Sequence, residues 1–397
     1  MNNDILQKLV QKVGTPFYVY DEDIFFERAK MVREAFGEGV ELCFSIKANP
    51  FLLAKLPEIF AKIEVCSPGE LTICEELKID MDRIVFSGVN KMPEDVKRAM
   101  DDAVGVFTAE SVRHLELIEA EAKGRDIVVP VLVRIAKGSQ FGMDERDVYQ
   151  ILANRSDYPH LNIVGLHYFT GTQKKKAKTI LKELDYLQTF MQRVKEELDF
   201  QIERVEYGTG LAVDYFDENA EEIEKCRLDE VAEAIKNLAT KTRLTVEMGR
   251  FFAASCGFYC TTVVDVKTND NVNYAICDGG MNQLKYDGQI QGMQIPQITH
   301  LKFSKKEIKE LQPWTICGSL CTTADVLARN VELSGLEIGD VLAFHRTGAY
   351  SLMEGITTFL SRETAVVALY SSENGLRVVR ERIFTDIFNL PKNEREV

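Results

Sequence analysis

The sequence predicts a (β/α)8 TIM barrel followed by a second, mostly β domain, and three observations support this α/β fold class. Between about residues 24 and 250, short runs rich in β-branched residues alternate with longer amphipathic stretches, as in repeated βα units. About eight such runs occur, and eight parallel strands close a barrel. After about Cys256 the pattern changes to β-like runs separated by turns. We therefore expect the barrel over residues 24–255 and the β domain over residues 1–23 plus 256–397.

The predicted barrel elements follow one another along the chain. The strands are expected at residues 41–46, 63–66, 84–87, 104–107, 128–135, 163–168, 204–207 and 244–247. Helical patterns cover residues 52–61, 94–100, 109–121 and 176–198. In the last of these, Ile180, Leu184 and Leu187 recur at intervals of three or four, as one buried helix face requires.

The predicted β domain combines the two ends of the chain. Its strands are expected at residues 259–266, 272–276, 341–344, 365–370 and 376–382. A further strand-like run at residues 16–20 precedes the barrel, and we expect it to pair with the C-terminal sheet.

Composition and charge exclude several classes of protein. Of the 397 residues, 45% are hydrophobic and 28% are charged, which is ordinary for a globular protein. The net charge of −14 opposes binding to nucleic acid phosphates. No apolar run approaches the ~20 residues of a membrane span, and the start of the chain lacks signal-peptide features. The nine cysteines lack the spacing of a disulfide framework or zinc site. We expect a cytoplasmic protein that binds no metal, nucleic acid or membrane.

Polar residues gather directly after the predicted barrel strands, where the active sites of such barrels lie. Lys47 ends the first strand, where partial desolvation favours the neutral amine that forms imines. The Gly208-Thr209-Gly210 turn suits close approach of the backbone to a phosphate. Glu247 can hold a protonated ring nitrogen, and Arg250 can face an anion. A surface lysine, an ordinary turn and an internal salt bridge are the respective alternatives, but together these features suggest pyridoxal 5'-phosphate.

The order of the motifs resembles the pyridoxal-phosphate decarboxylases built on an alanine-racemase-like barrel, which include diaminopimelate, ornithine and arginine decarboxylases. The resemblance extends over nearly the whole chain. The most specific motifs lie at residues 45–49, 65–71, 247–250, 278–282, 317–321 and 348–350.

The resemblance implies a role for each matching residue. Lys47 would form the imine with the cofactor, and Glu247 would bond the pyridinium nitrogen. Cys321 would cross from the partner subunit to help reprotonate the carbanion, which implies a homodimer with shared active sites. The residues that would hold the phosphate are Thr172, the backbone of Gly208, Thr209 and Gly210, Arg250 and Tyr350.

The chain also departs from the family pattern. Phe169 occupies the place of the histidine that stacks on the cofactor ring in the family. The aromatic ring of Phe169 can still stack, so we do not assign the stacking role to His167. Tyr286 and Asp287 stand in place of an Arg-Pro segment, and Thr322 replaces an acidic residue that receives a distal ammonium. We assign Tyr286 and Thr322 to substrate binding, together with His167 and Asp325. The changes resemble a subgroup that decarboxylates amino acids held as carrier-protein thioesters.

Three readings of the function remain open on the sequence. The leading one is a pyridoxal-phosphate decarboxylase whose α-amino acid lacks the usual distal ammonium, either as a small molecule or tethered to an acyl or peptidyl carrier protein. The second is a true meso-diaminopimelate decarboxylase of lysine biosynthesis. The third is a non-catalytic homologue that binds a protein partner, which retention of Lys47, Glu247 and Cys321 disfavours. Glu247 likewise disfavours a racemase.

Overall fold

The computed structural model describes residues 1–303 and 310–391. The strands there are β1 (Phe17–Asp21), β2 (Val40–Ser45), β3 (Phe60–Val65), β4 (Ile84–Phe86), β5 (Val106–Ala109), β6 (Val129–Ile135), β7 (Leu161–Tyr168), β8 (Arg204–Gly208), β9 (Arg243–Met248), β10 (Gly257–Asn269), β11 (Val272–Cys277), β12 (Ile298–Leu301), β13 (Leu311–Cys317), β14 (Val326–Ser334), β15 (Val341–His345), β16 (Val366–Ser371) and β17 (Gly375–Arg380). The α-helices are α1 (Asn3–Val13), α2 (Glu22–Phe36), α3 (Pro68–Glu76), α4 (Pro93–Asp101), α5 (Val112–Arg125), α6 (Glu145–Ala153), α7 (Ala177–Leu198), α8 (Ala220–Ala239), α9 (Arg250–Ala253) and α10 (Asp386–Asn389).

Strands β2 to β9 form a closed barrel in which every neighbouring pair is parallel. The first and last strands close it, with Phe44 of β2 opposite Met248 of β9. Each of the eight strands overlaps a strand predicted from the sequence, so the predicted barrel is confirmed. Helices α3 to α8 lie in the connections, which brings the carboxyl ends of all eight strands to one rim.

The barrel interior is apolar in one layer and polar near the carboxyl ends of the strands. Its apolar layer consists of Cys43, Val85, Val106, Leu132 and Val164, all buried. These residues come from β2, β4, β5, β6 and β7, so each strand directs a side chain into the same layer. Side chains further along several of the same strands are polar, and they form the candidate site described below.

One predicted helix of the barrel is wrong. Residues 52–61 have apolar side chains at helical spacing, but the structure has a short 3₁₀ helix at Pro50–Lys55 and then strand β3. Strand β3 must start at Phe60 to pair with Leu42 of β2, which leaves too few residues for a packed α-helix. The predicted helix at 176–198 is confirmed as α7, with Ile180, Leu184 and Leu187 buried.

The remaining strands form a mixed sheet in which β1 lies between β10 and β16. Strand β1 pairs antiparallel with β10 and parallel with β16, so the predicted pairing of residues 16–20 with the C-terminal sheet is confirmed. Strand β10 is 13 residues long and pairs with β1 and β15 at its beginning and with β11 at its end. Strands β12, β13 and β14 were not predicted.

The chain forms two compact units. The barrel unit contains Phe26–Val213 and Glu221–Phe252, and the β unit contains Met1–Phe25, Asp214–Ala220 and the chain from Ala253 onward. Among the described residues, no helix combines the length and apolar character that crossing a membrane requires.

Candidate active site

Lys47 lies at the carboxyl-end rim of the barrel, in a single 3₁₀ turn (Ile46–Ala48) that follows β2. Its amine forms an ion pair with the buried carboxylate of Glu64 and lies 3.7 Å from Oε1 of Glu247. Gly249 fixes this turn, because a Cβ there would lie 2.8 Å from Cβ of Ala48 and 2.9 Å from the carbonyl oxygen of Ser45. The side chain of Lys47 is 36% exposed, so its amine is both oriented and accessible.

Glu247 is a buried carboxylate held by two neighbours on adjacent or nearby strands. The Ser45 hydroxyl donates to its Oε1 at 3.0 Å, and Nε2 of His167 lies 3.0 Å from its Oε2. Burial alone would raise its pKa, but Lys47, His167 and Arg134 together hold the pKa of Glu247 well below its usual range. Glu247 is therefore ionised and can face a cation, such as a protonated ring nitrogen.

Two further glutamates lie beside this group, and the sequence analysis assigned neither of them. Glu64 on β3 accepts a hydrogen bond from Sγ of Cys66 at 2.9 Å. Glu206 on β8 is buried, and its Oε1 has no hydrogen-bond partner among the described residues. Burial, followed by the charges of Glu247 and Glu64, raises the pKa of Glu206 well above its usual value. The pKa values of two neighbouring carboxyl groups are thus shifted in opposite directions.

Ligand atoms of His167, Glu206 and Glu247 lie within 4.8 Å of one another, which is close enough for a metal ion. Two of these groups also contact each other, since Nε2 of His167 lies 3.0 Å from Oε2 of Glu247.

The Gly208-Thr209-Gly210 turn after β8 packs tightly against the loop that follows β7. A Cβ at Gly210 would lie 2.0 Å from the carbonyl oxygen of Gly171, and Gly210 has φ +62°. A Cβ at Gly208 would lie 2.5 Å from Cδ2 of Phe169. Both positions therefore require glycine, and the turn leaves the rim lined by main chain, as a phosphate cradle does.

The loop after β7 is anchored by the buried carboxylate of Glu183 on α7. Glu183 binds Nζ of Lys174 at 2.7 Å, the hydroxyl of Tyr207 at 2.7 Å and the hydroxyl of Thr170. The main-chain N–H of Lys174 also donates to the carbonyl of Gly210 at 2.8 Å. These bonds fix the loop, which carries the predicted stacking ring and the predicted phosphate ligand Thr172.

The structure places Phe169, the predicted stacking residue, against the glycine turn. Phe169 lies on Gly208, and the cationic groups of Arg134 and Lys174 each lie 5.9 Å from the ring centroid. Thr172 is exposed on the same loop, and Arg250 begins α9 directly after Gly249.

A second polar cluster lies at the ends of β4, β5 and β6. Arg134 pairs with Glu110 at 2.9 Å, and Glu110 also accepts from the N–H of Gly142 at 3.2 Å. Nearby, Lys91 is buried and donates to the carbonyls of Ser87 and Gly88, and burial lowers its pKa to about 8. None of these residues was predicted as a site residue from the sequence; an acid or a base at the end of an apolar strand was the available signal.

The other predicted site residues lie in the β unit. Cys321 is exposed and Thr322 half-buried, both in the connection between β13 and β14. Asp325 is buried, and its two carboxylate oxygens accept from the main-chain N–H groups of Met281 and Leu320. The buried hydroxyl of Tyr286 donates to the carbonyl of His345 at 2.6 Å.

Tyr350, the last predicted phosphate ligand, is half-buried in the same unit and has φ +65°. The roles assigned to these five residues of the β unit stay predictions.

The barrel rim fits pyridoxal phosphate. Lys47 offers an amine and Glu247 an ionised carboxylate only 3.7 Å away. The glycine turn offers main chain at Gly208 and Gly210, where neighbouring residues leave no room for a Cβ. A (β/α)8 barrel with these three groups at its rim defines the class of pyridoxal-phosphate enzymes.

Comparison with known proteins gives the family. Residues 23–254 match the family model described as "Pyridoxal-dependent decarboxylase, pyridoxal binding domain". This match covers more than half of the chain, so the protein belongs to the pyridoxal-dependent decarboxylases.

Its relatives include two kinds of decarboxylase. The chain is 28% identical to L-glutamyl-(BtrI acyl-carrier protein) decarboxylase of Niallia circulans, over 91% of this chain and 90% of that protein. It is 27% identical to diaminopimelate decarboxylase of Aquifex aeolicus, over 95% and 91% of the two chains. The chain also resembles the crystal structure of diaminopimelate decarboxylase from Methanocaldococcus jannaschii with L-lysine, with a TM-score of 0.84 and 25% identity. The alignment covers 96% of this chain and 93% of that structure.

The chain is therefore a pyridoxal-phosphate-dependent amino acid decarboxylase, and the predicted fold, cofactor and reaction class are confirmed.

Proposed function

We propose that this decarboxylase acts on an α-amino acid whose distal carboxyl group is tethered to a carrier protein through a thioester. The observation that carries the proposal is the absence of an available charge among the residues assigned to the distal end of the substrate. Within the described β unit, Thr322 and Tyr286 are neutral, and both oxygens of Asp325 are occupied by main-chain donors. The relative that acts on a carrier-bound glutamyl group supports the same assignment.

The lining of a cavity beside Tyr286 agrees with this proposal. The cavity has a volume of about 230 Å³ and is otherwise bordered by residues such as Ala324, Val326 and Ile356. Its two charged lining residues, Lys285 and Glu354, pair with each other at 2.8 Å. A neutral distal end suits such surroundings better than a free ammonium or carboxylate, since either would need an opposite charge.

The contacts of the barrel residues support a role for each. Bound pyridoxal phosphate would supply the electron sink for the pair of electrons left by CO2 loss. Lys47 would attach the cofactor, and the ion pair with Glu64 directs its amine. Glu247, held by Ser45 and His167, would keep the ring nitrogen protonated.

The remaining roles concern the ring face, the phosphate and the final proton. Phe169 would stack on the cofactor ring. The residues that would hold the phosphate are Gly208, Thr209 and Gly210 of the turn, Thr172, Arg250 and Tyr350. Cys321 of the partner subunit delivers a proton to the reacting carbon, so the functional unit is a homodimer.

The substrate proposal is tested by CO2 release from matched compounds. We expect a glutamyl group on a carrier-protein thioester to react faster than free glutamate, lysine, ornithine or meso-diaminopimelate. Thr322→Glu would add a carboxylate that can accept a charged hydrogen bond from a distal ammonium. This bond should raise kcat/KM for the diamine-type substrates by roughly 10- to 150-fold.

The competing function is diaminopimelate decarboxylation, which the Aquifex aeolicus relative favours. If the wild-type protein turns over free meso-diaminopimelate with kcat/KM of about 10⁴ M⁻¹ s⁻¹ or more, an ordinary enzyme efficiency, the tethered-substrate proposal is wrong.

The attachment of the cofactor has its own test. Borohydride reduction of the yellow holoenzyme should fix the cofactor to Lys47, and peptide mapping identifies the labelled lysine. A label on another lysine contradicts the assignment.

Subunit mixing tests the shared active site. Lys47→Ala and Cys321→Ala subunits, each inactive alone, should regain about a quarter of wild-type activity when mixed, because roughly half the dimers are mixed and each has one intact site. An inactive mixture, despite demonstrated subunit exchange, excludes the shared site.

A further inference from the structure

A run of lysines begins where the loop after β7 enters α7. Residues 174–182 contain five lysines and no acidic residue, in a protein whose net charge is −14. The first, Lys174, is buried against Glu183. Lys176, Lys178 and Lys182 are exposed, and we call these three residues the lysine patch.

The patch lies on the rim that carries the candidate active site. In a (β/α)8 barrel, the helix after each strand begins at the rim where the strand ends. Strand β7 ends one residue after His167, which contacts Glu247, and the loop that follows is bonded to the glycine turn through Lys174 and Gly210. The lysine patch therefore borders the entrance to the site rather than the opposite end of the barrel.

The local structure accentuates the positive charge of the patch. The N-cap residue of α7 is Lys176, which makes no capping hydrogen bond through its side chain, and the first turn contains no acidic residue. Lys178 and Lys182 are four residues apart and so lie on one face of the helix. The positive end of the helix dipole repels these lysines, so their position lowers the stability of the chain alone. The dipole and the lysines together attract an anionic surface.

Other barrel helices begin differently. Side chains of Ser67, Ser111 and Asp144 cap α3, α5 and α6, and α4 begins with Glu94 and Asp95. These groups satisfy or neutralise the helix starts, which leaves the start of α7 as a local basic surface on the same rim.

We propose that the lysine patch docks the acidic surface of the carrier protein that delivers the substrate, an inference that rests on the tethered substrate proposed above. A carrier docked at the rim presents its thioester arm to the barrel mouth, and the attraction of opposite charges raises the rate of productive encounter. The patch contains no aromatic residue on which a nucleic acid base could stack, and the overall negative charge repels phosphate backbones.

Binding to the carrier protein tests the patch directly. The probes are the acyl carrier proteins encoded by the source genome, each purified with its phosphopantetheine arm but without an amino acid. We expect one of them to bind the wild-type holoenzyme, and the K176E/K178E/K182E variant to bind it at least about tenfold more weakly at low salt. The difference should shrink in 0.5 M NaCl, because salt screens exposed charges.

A matched control separates the patch from net charge. The K30E/K123E/K195E variant carries the same net charge, and its exposed substitutions lie on α2, on α5 and in the last turn of α7. This variant should bind the carrier like the wild type. Equal binding by the patch variant and the wild type, or binding of no carrier by the wild type, overturns the docking proposal. So does a patch that binds a single-stranded RNA oligonucleotide in preference to every carrier.

Folding of the patch variant is measured separately. Glutamate near a helix N-terminus is favourable toward the helix dipole, so the melting temperature should stay at or above that of the wild type. Weak carrier binding by a well-folded variant then reports docking.

Turnover distinguishes failure of docking from failure of the proposed function. With a loaded carrier, reversal of the patch should raise KM and leave kcat unchanged, whereas a small pantetheine thioester of the same amino acid should react equally in both proteins. A wild type that binds the carrier through the patch but releases no CO2 from either thioester contradicts the proposed substrate and leaves docking intact. Release of CO2 from both thioesters with equal KM in the two proteins overturns docking alone.

Discussion

At the scale of single residues, the site contains two neighbouring glutamates whose pKa values are shifted in opposite directions. Burial opposes ionisation of Glu247, but Lys47, His167 and Arg134 lower its pKa, whereas burial and the charges of Glu247 and Glu64 raise the pKa of Glu206 well above its usual value. We therefore expect Glu247 to be ionised and Glu206 to be neutral. A change of glutamate to glutamine should therefore have a different effect at each of the two positions.

Glu247→Gln removes the negative charge that we propose to hold the proton on the ring nitrogen. We expect kcat to fall by about 10²–10³-fold, as when one preorganised electrostatic group is lost, with a changed absorbance spectrum of the bound cofactor. Glu206→Gln replaces one neutral group by another of the same size and should leave both rate and spectrum close to those of the wild type. Equal losses in the two variants would contradict the assigned charge states.

Lys91 gives the protein a pH-dependent stability. Burial lowers its pKa to about 8, so between about pH 8 and pH 10.5 the unfolded chain holds a proton at this position that the folded chain has lost. The free energy of unfolding attributable to Lys91 therefore rises with pH across this window, by up to roughly 3 kcal/mol. Urea unfolding at pH 8.0, 9.0 and 10.0 should show this gain in the wild type relative to Lys91→Met. A constant difference between the two proteins would show that Lys91 does not titrate there.

Some site residues can be recognised from the sequence around them, and others only from contacts in the folded chain. Lys47 and Glu247 stand out because each ends an apolar run and matches a family motif. Glu64 and Glu206 act through contacts with residues far away in the sequence, which no local pattern reveals.

At the scale of elements, the glycine turn after β8 depends on the loop after β7. Gly210 cannot carry a side chain, because its Cβ would collide with the carbonyl oxygen of Gly171 in that loop. Glu183 of α7 binds the hydroxyl of Thr170 in the same loop and the hydroxyl of Tyr207 on β8. The predicted phosphate cradle therefore depends on two adjacent connections rather than on one motif.

Gly210→Ala tests this dependence. Alanine at a positive φ costs about 1–2 kcal/mol, and here its Cβ would also displace the Gly171 carbonyl, so we expect cofactor affinity to fall by at least roughly tenfold. Gly37→Ala is the control: Gly37 has φ +78°, and its Cβ would come no closer than 3.9 Å to the side chain of Lys236. Fluorescence titration with pyridoxal phosphate should show weaker binding in the first variant alone. Similar losses in both would assign the effect to backbone strain.

The element boundaries show which signals a sequence contains. The barrel strands were predictable because they are short apolar runs separated by amphipathic helices. Residues 52–61 have a helical pattern, yet the register of β3 against β2 requires extended chain from Phe60. Strands β13 and β14 were missed because exposed or charged residues interrupt them, including Pro313, Arg329 and Glu332.

At the scale of the whole molecule, the β unit depends on the first residues of the chain. Residues Phe17 to Tyr20 of β1 are completely buried between β10 and β16, and α1 packs Leu6 and Leu9 into the same core. The N-terminal segment is therefore the centre of the β unit and not an appendage to the barrel.

Val19→Asp tests this dependence by placing a charge in that core. We expect a loss of about 4 kcal/mol or more in the free energy of unfolding, or an insoluble protein, since an unpaired buried charge is among the most costly substitutions. Val264→Asp, on the exposed part of β10, should change stability by less than about 0.5 kcal/mol. Urea unfolding of both proteins decides the matter, and equal stability would exclude a central role for β1.

The position of β1 also sets the order of events during synthesis. Phe17 pairs with Cys260 on one side and with Val366 on the other, so this strand leaves the ribosome long before its second partner exists. At about 5–20 residues per second, the interval before Val366 is made is roughly 20 to 70 s. The barrel segment emerges whole within that interval, whereas one edge of the apolar strand stays unpaired until β16 is made. Chaperones that shield nascent chains should therefore matter more for the yield of this protein than its stability once complete.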